Sequence, residues 1–143
     1  MTRRVLNVGG NSRRIPIPAH FSGWEHHLLD IDPAGAPDIV CDARELQALP
    51  AASYDAVYCS HNLEHYFRHD LPRVLAGFLH VLKPDGFADI RVPDMLAHLG
   101  RDQPCGGVGG FRHKTRTLTL LRDQGTKGPR VRGTGLERHL LID

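Results

Sequence analysis

The run Arg4-Val5-Leu6-Asn7-Val8 passes directly into Gly9-Gly10-Asn11-Ser12-Arg13, and this junction restricts the chain more than any other stretch. A short aliphatic and β-branched run that stops at two glycines predicts a buried parallel strand and a sharp turn. At such a turn the missing Cβ atoms let a ligand come close to the backbone. The stretch has neither the G-x-G-x-x-G spacing of a dinucleotide site nor the pattern of a P-loop. Taken alone it does not separate a ligand loop from a plain turn; the order of the later elements decides.

Pro16 and Pro18 rule out a long helix after the turn, because alternate prolines remove donors and push their predecessors toward extended geometry. A second strand is predicted near His26-His27-Leu28-Leu29, ending at Asp30-Ile31-Asp32-Pro33. An acid at the carboxyl end of such a strand is placed to accept hydrogen bonds from ribose hydroxyls, although Asp30 and Asp32 also suit a simple turn before Pro33 and Gly35. Asp38-Ile39-Val40-Cys41-Asp42 repeats the format. Ala43-Arg44-Glu45-Leu46 reads as one helical turn closed by Leu49-Pro50. Ser53 to Ser60 is rich in residues that favour a pleated surface, and it delivers Ser60, His61, Asn62, Leu63, Glu64 and His65 to the sheet's carboxyl edge, where open α/β sheets bind ligands.

Leu71, Val74, Leu75, Phe78, Leu79 and Leu82 then mark an amphipathic helix, with Asp70 as its N-cap and Pro72 in its first turn. Lys83-Pro84-Asp85-Gly86 turns the chain into a strand over Phe87 to Val92. Strand, crossover and strand in this order require a parallel sheet with right-handed connections, and the expected fold is α/β, Rossmann-like, with a doubly wound, mostly parallel sheet. Beyond Met95 the signals thin out: Cys105 to Gly110 reads as a glycine linker, Thr117 to Gln124 as a short helix, and Arg130-Val131-Arg132 with Leu136 to Ile142 as a closing hairpin.

The chain of 143 residues suits one domain, a core over 1–94 followed by an abbreviated segment over 95–143. No apolar run approaches a membrane span, and Met-Thr-Arg-Arg leads straight into strand-like sequence without a signal core, so a cytoplasmic protein is expected. Cys41, Cys59 and Cys105 are odd in number and read as reduced thiols. Residues 1–94 carry nine Lys and Arg against twelve Asp and Glu, whereas residues 95–143 carry nine against four. That basic segment has few interleaved aromatics and reads as solvated surface, so nucleic acid is not an expected partner.

With those pieces in order, residues 4–94 resemble class I S-adenosylmethionine (SAM) dependent methyltransferases, particularly the type 11 group. Val5 to Asn11 resembles the family's glycine-rich first motif, which implies that Val8, Gly9, Gly10 and Asn11 lie beneath the methionine end of SAM. Leu29 to Pro33 resembles the second motif, implying Asp30 at the ribose with Ile31 beside it. Asp42-Ala43 resembles the pair next to the adenine. Tyr54 to Val57 and Leu63-Glu64-His65 resemble the fourth strand and its following loop, with Ser60 and His61 near the transferable methyl. The resemblance implies a SAM-dependent methyltransferase with a small-molecule acceptor. Ser12-Arg13 stand where the family usually carries a later glycine, and the closing part of the family core is compressed into residues 111–143.

Methyl transfer requires position and electrostatics, and an oxygen or nitrogen acceptor also needs a base, for which His61 or His65 are the candidates. Two other readings stand beside this one. One is a catalytically silent scaffold on the same fold, binding a ligand or depending on a partner chain; a bare sheet edge would be compatible with a homodimer. The other is zinc: His61-Asn62-Leu63-Glu64-His65 is a literal H-x-x-E-H, with His69 continuing the spacing and Glu137 as a possible third ligand. Ten histidines make chance pairs common, and no metal site is expected.

Overall fold

A computed structural model describes residues 2–93, 115–122 and 130–133. Its strands are β1 (Arg4–Val8), β2 (Glu25–Asp30), β3 (Ile39–Val40), β4 (Tyr54–Ser60), β5 (Leu82–Pro93), β6 (Thr115–Leu121) and β7 (Arg130–Gly133). They form one seven-stranded sheet in the order β3-β2-β1-β4-β5-β6-β7. The pairings from β3 to β5 are parallel, and β6 and β7 are added antiparallel. β1 therefore lies between β2 and β4, and the order of the chain reverses beside it. In an open parallel sheet that reversal leaves a crevice at the carboxyl ends.

Each face of the sheet has its own core. On one, Leu6, Val8, Leu29, Val57, Cys59, Ala88 and Ile90 pack against Leu46 and against Val74, Phe78 and Val81 of α1 (Leu71–Val81). The side chains of α1 that are buried follow the spacing read from the sequence, and burying each such side chain contributes about 1.5–3 kcal/mol. On the other face, Val5, Ala56 and Tyr58 meet Phe21, with Trp24 and Phe87 alongside. The Phe21 and Phe87 rings stack at 6.1 Å, and Trp24 stands edge-on to Phe21 at 5.2 Å. Among the described residues, the chain over this face is irregular and carries the 3-10 turn Ala19–Phe21, consistent with the alternate prolines before it.

Three local expectations need correction. The stretch 117–124 is not a helix: Thr115–Leu121 is β6, paired antiparallel with β5. Thr115, Thr117 and Thr119 alternate with Arg116, Leu118 and Leu120, a period of two that suits a strand with β-branched residues on one face. Leu82 leaves the helical stripe to start β5 opposite Tyr54. The expected turn after it survives as an irregularity inside that strand, where the register moves from Tyr54–Leu82 to Ala56–Phe87 and Asp85 adopts φ 65°. Asp70 caps α1 only by position, since its backbone is already helical and its side chain makes no cap hydrogen bond. Cys105 to Gly110, Leu136 to Ile142 and Glu137 lie outside the described residues. No helix among the described residues is long and apolar enough to cross a membrane.

Candidate functional site

The carboxyl ends of β1, β2 and β4 converge with the turn after β3. Gly9 turns the chain over β2 at φ 70°, its N–H donating to the Leu29 carbonyl at 2.8 Å. Behind it, a Cβ on Gly10 would lie 2.3–2.6 Å from the buried Asn7 amide, so the turn can sit on β1 only without one. The Asn7 amide nitrogen meets His26 Nε2 at 3.2 Å, and its oxygen is a buried side-chain acceptor with no partner. Asp30 is 9% exposed and its carboxylate pins two loops: Oδ2 accepts from the Asn11 N–H at 2.8 Å and Oδ1 from the Asp32 N–H at 2.9 Å. Each oxygen retains a further lone pair for a ligand.

These loops bound a small open cleft lined by Val8, Gly9, Leu29, Asp30, Ile31, Cys41, Ala43, Asn62 and Tyr66. Of the residues singled out from sequence, Val8, Gly9, Asp30, Ile31 and Ala43 share this wall; Gly10, Asn11, Asp42, Ser60, His61 and His65 do not line it. Asn11 is exposed in the turn behind. Asp42 starts the 3-10 stretch Ala43–Ala48 by accepting from the Arg44 N–H at 2.9 Å, and it pairs with the Arg44 guanidinium at 2.7 Å. Ser60 sits opposite Arg91 of β5.

The loop after β4 folds back sharply. His61 takes φ 51°, its N–H donates to the Arg91 carbonyl at 2.8 Å, and its exposed imidazole has Nδ1 3.7 Å from Glu64. His65 is exposed on the 3-10 turn Leu63–His65, and Tyr66 beyond it is extended. The two histidines are thus not on one continuous helix, the geometry that H-x-x-E-H needs to bring both to one metal. Among the described residues no group of three or more His, Cys, Asp or Glu side chains could hold a metal ion. Burial pushes the Cys59 thiol up to about 12 and raises that of Cys41, which keeps both protonated at neutral pH.

Asn62, which the sequence brings to this edge without a stated role, lines the cleft together with Tyr66. Their only sequence mark is membership of the stretch after β4, and the backbone reversal at His61 is what swings Asn62 onto Gly9.

Charge around the site makes the fold acid-sensitive. Arg44 holds the Asp42 carboxyl below its ordinary value; His27, and after it Arg4, do the same for Glu25. Groups depressed in the folded state bind fewer protons there than in the unfolded chain. Their stabilisation is complete above the ordinary carboxylate pKa of about 4 and is lost as pH falls through the lower folded values. Urea midpoints measured from about pH 6 to about pH 2.5 should fall below about pH 4, and Arg44→Ala should shrink that fall. Equal slopes in both proteins would contradict the assignment to Asp42.

A family model described as a methyltransferase domain matches residues 22–89. Among solved structures, a SAM-dependent methyltransferase from Archaeoglobus fulgidus superposes with a TM-score of 0.55 at 28% identity, over 66% of this chain and 46% of that one. The PH0226 protein from Pyrococcus horikoshii OT3 superposes at 0.54 with 19% identity, over 88% and 68%. The Haemonchus contortus Phospholethanolamine N-methyltransferase 2, solved with phosphomonomethylethanolamine and S-adenosylhomocysteine, superposes at 0.51 with 20% identity, over 64% and 24%. The chain therefore spans less than half the length of the first of these. No curated protein matches the sequence.

Proposed function

We propose that this chain is a class I SAM-dependent methyltransferase that binds SAM in the cleft across β1, β2 and β4 and methylates a small-molecule acceptor. One observation carries the reading: the cleft joins a glycine turn with no room for a Cβ to a nearly buried carboxylate at the end of the neighbouring strand. A backbone that must be bare and an acid with free lone pairs fit the amino-acid and ribose parts of SAM respectively.

When bound, SAM supplies an activated methyl on a sulfonium sulfur. The chain's own residues do the rest. Val8 and Gly9 carry the amino-acid end, Gly10 and Asn11 shape the turn from behind, and Asp30 accepts from the ribose. Ile31 and Ala43 flank the base, with Asp42 holding the Ala43 turn in place through Arg44. Ser60 and His61 close the methyl end. Of the two histidines, His61 is the better base, because its backbone is pinned by Arg91 and Glu64 lies beside Nδ1, which leaves Nε2 to take a proton from the acceptor.

A silent scaffold on the same fold has one observation in its favour, that neither His61 nor His65 lines the cleft. Calorimetric titration with SAM and S-adenosylhomocysteine, followed by a methyl-release assay across small acceptors, separates the two. Micromolar binding with turnover supports the enzyme, and binding without turnover for any acceptor supports the scaffold. A folded chain that binds neither compound ends the enzyme reading and leaves the scaffold that depends on a partner chain.

A further inference from the structure

We infer that the methyl acceptor is held by an anionic group, a carboxylate or a phosphate, on a row of three side chains, Ser60, Arg91 and Thr117, that crosses β4, β5 and β6 at the carboxyl end of the parallel strands. The inference rests on the SAM reading above, which puts the reacting methyl beside Ser60. Alternation along the strands builds the row. On β5, Ala88 and Ile90 enter the core under α1, so Phe87, Asp89 and Arg91 share the other face. On β6, Leu118 and Leu120 take the α1 side, which leaves Thr117 and Thr119 beside Arg91 and Asp89. The register sets Ser60 opposite Arg91 on one flank and Thr117 opposite it on the other, a separation of about 4.5–5.5 Å between neighbouring Cβ atoms.

The guanidinium is aimed but not used up. Its Cζ lies 5.5 Å from the centroid of the Tyr58 ring, and its Nε and Nη2 face the two Asp89 oxygens at 3.4 Å each. Charge-assisted N–H···O bonds are usually about 2.7–2.9 Å, so this pair orients the plane without saturating it. Asp89 is 5% exposed, and its Oδ2 is shared with His20, whose Nε2 lies 3.3 Å away. The remaining N–H groups of Arg91 and the hydroxyls of Ser60 and Thr117 have no partner among the described residues, and all three side chains are partly exposed. Two hydroxyl donors around a permanently charged planar fork match the oxygens of a carboxylate or a phosphate. An ammonium would meet the guanidinium first, because the carboxylate beside it is nearly buried.

The test is NMR titration of the isotope-labelled full chain with acetate, and separately with inorganic phosphate, at constant ionic strength and with and without S-adenosylhomocysteine. The amides of Ser60, Arg91 and Thr117 and the Arg91 Nε–H are followed. They should shift saturably at millimolar concentration of at least one anion, and the anion that saturates identifies the group the acceptor carries. Exposed Arg14 and Arg68 should show no saturation. Arg91→Gln should weaken the anion at least about tenfold and leave the affinity for S-adenosylhomocysteine unchanged. That variant strips the nearly buried Asp89 of a cation; if it does not fold, Asp89→Asn combined with Arg91→Gln removes both charges and should show the same loss.

Shifts that do not saturate, that are equal at Arg14 and Arg68, or that survive removal of the Arg91 charge overturn the inference, while retained binding of S-adenosylhomocysteine leaves the SAM reading standing. A chain that binds the anion but not S-adenosylhomocysteine overturns the SAM reading and the acceptor role with it. In the methyl-release assay, turnover should fall among acceptors that carry the anion. Turnover confined to uncharged or cationic acceptors overturns the inference alone, and turnover of none ends it together with the enzyme reading.

Discussion

Asp30→Ala should weaken SAM binding by at least about tenfold and lower the stability of the ligand-free protein. Two backbone donors, the N–H groups of Asn11 and Asp32, lose their acceptor in this variant. Each polar group left unpaired costs about 1–3 kcal/mol, toward the lower end here because Asn11 and Asp32 lie near solvent. The charge-assisted contact to the ribose is worth about another 1.5–3 kcal/mol, a loss of tenfold or more in affinity even before the Asn11 turn relaxes. Asp30→Asn separates the two effects. It keeps the shape and one oxygen, so it should recover part of the stability while still binding at least about tenfold more weakly. Calorimetric titration and urea denaturation on the three proteins check both statements. Wild-type affinity in Asp30→Ala would remove the ribose from this strand end and with it the proposed orientation of SAM.

The second large effect is expected at Gly9, and its size is separable into parts by comparison with Gly23. Both glycines have positive φ, 70° and 81°. A Cβ on Gly23 would meet nothing within 4 Å, whereas one on Gly9 would fall 2.5–2.7 Å from the Asn62 amide. Gly23→Ala should therefore cost only the backbone penalty of about 1–2 kcal/mol and leave SAM binding untouched. Gly9→Ala carries the same penalty and must also evict Asn62, so it should cost about 1–3 kcal/mol more and remove SAM binding. Equal destabilisation of the two variants, read from urea midpoints, would mean that Asn62 is free to swing aside and is not fixed against the turn.

The parallel part of the fold was legible because β1, β2 and β3 are short runs followed by or ending in glycine or an acid, because β4 is rich in strand-favouring residues, and because α1 keeps one period over three turns. What the sequence did not disclose depends on events between elements. Thr117 to Leu121 satisfies a short helix as well as a strand when taken alone, and only the open flank of β5 selects the strand. Of the residues that glycine and strand-end acid patterns identify, Val8, Gly9, Asp30 and Ile31 line the cleft, with Ala43 beside them, whereas Gly10, Asn11 and Asp42 do not. Asn62 and Tyr66 reach it through a left-handed His61 anchored to a β5 carbonyl, a long-range contact that no local pattern encodes. His61 and His65 were singled out for their chemistry, and side-chain type does not fix which way a loop turns.

The pairing of β1 with β4 also sets an order in time. Every residue lining the cleft falls between Val8 and Tyr66, but the His61 reversal that presents Asn62 and Tyr66 is anchored to Arg91, so the walls are complete only once β5 has been made. Likewise, β1 cannot gain its second neighbour until Ala56 has been synthesised to meet Val5, and parallel partners so distant along the chain close slowly. Until then β1 is an apolar strand with one free edge inside the translating cell. A ligand spanning the ends of β1, β2 and β4 would tie together segments that share one edge only after Ala56 has met Val5.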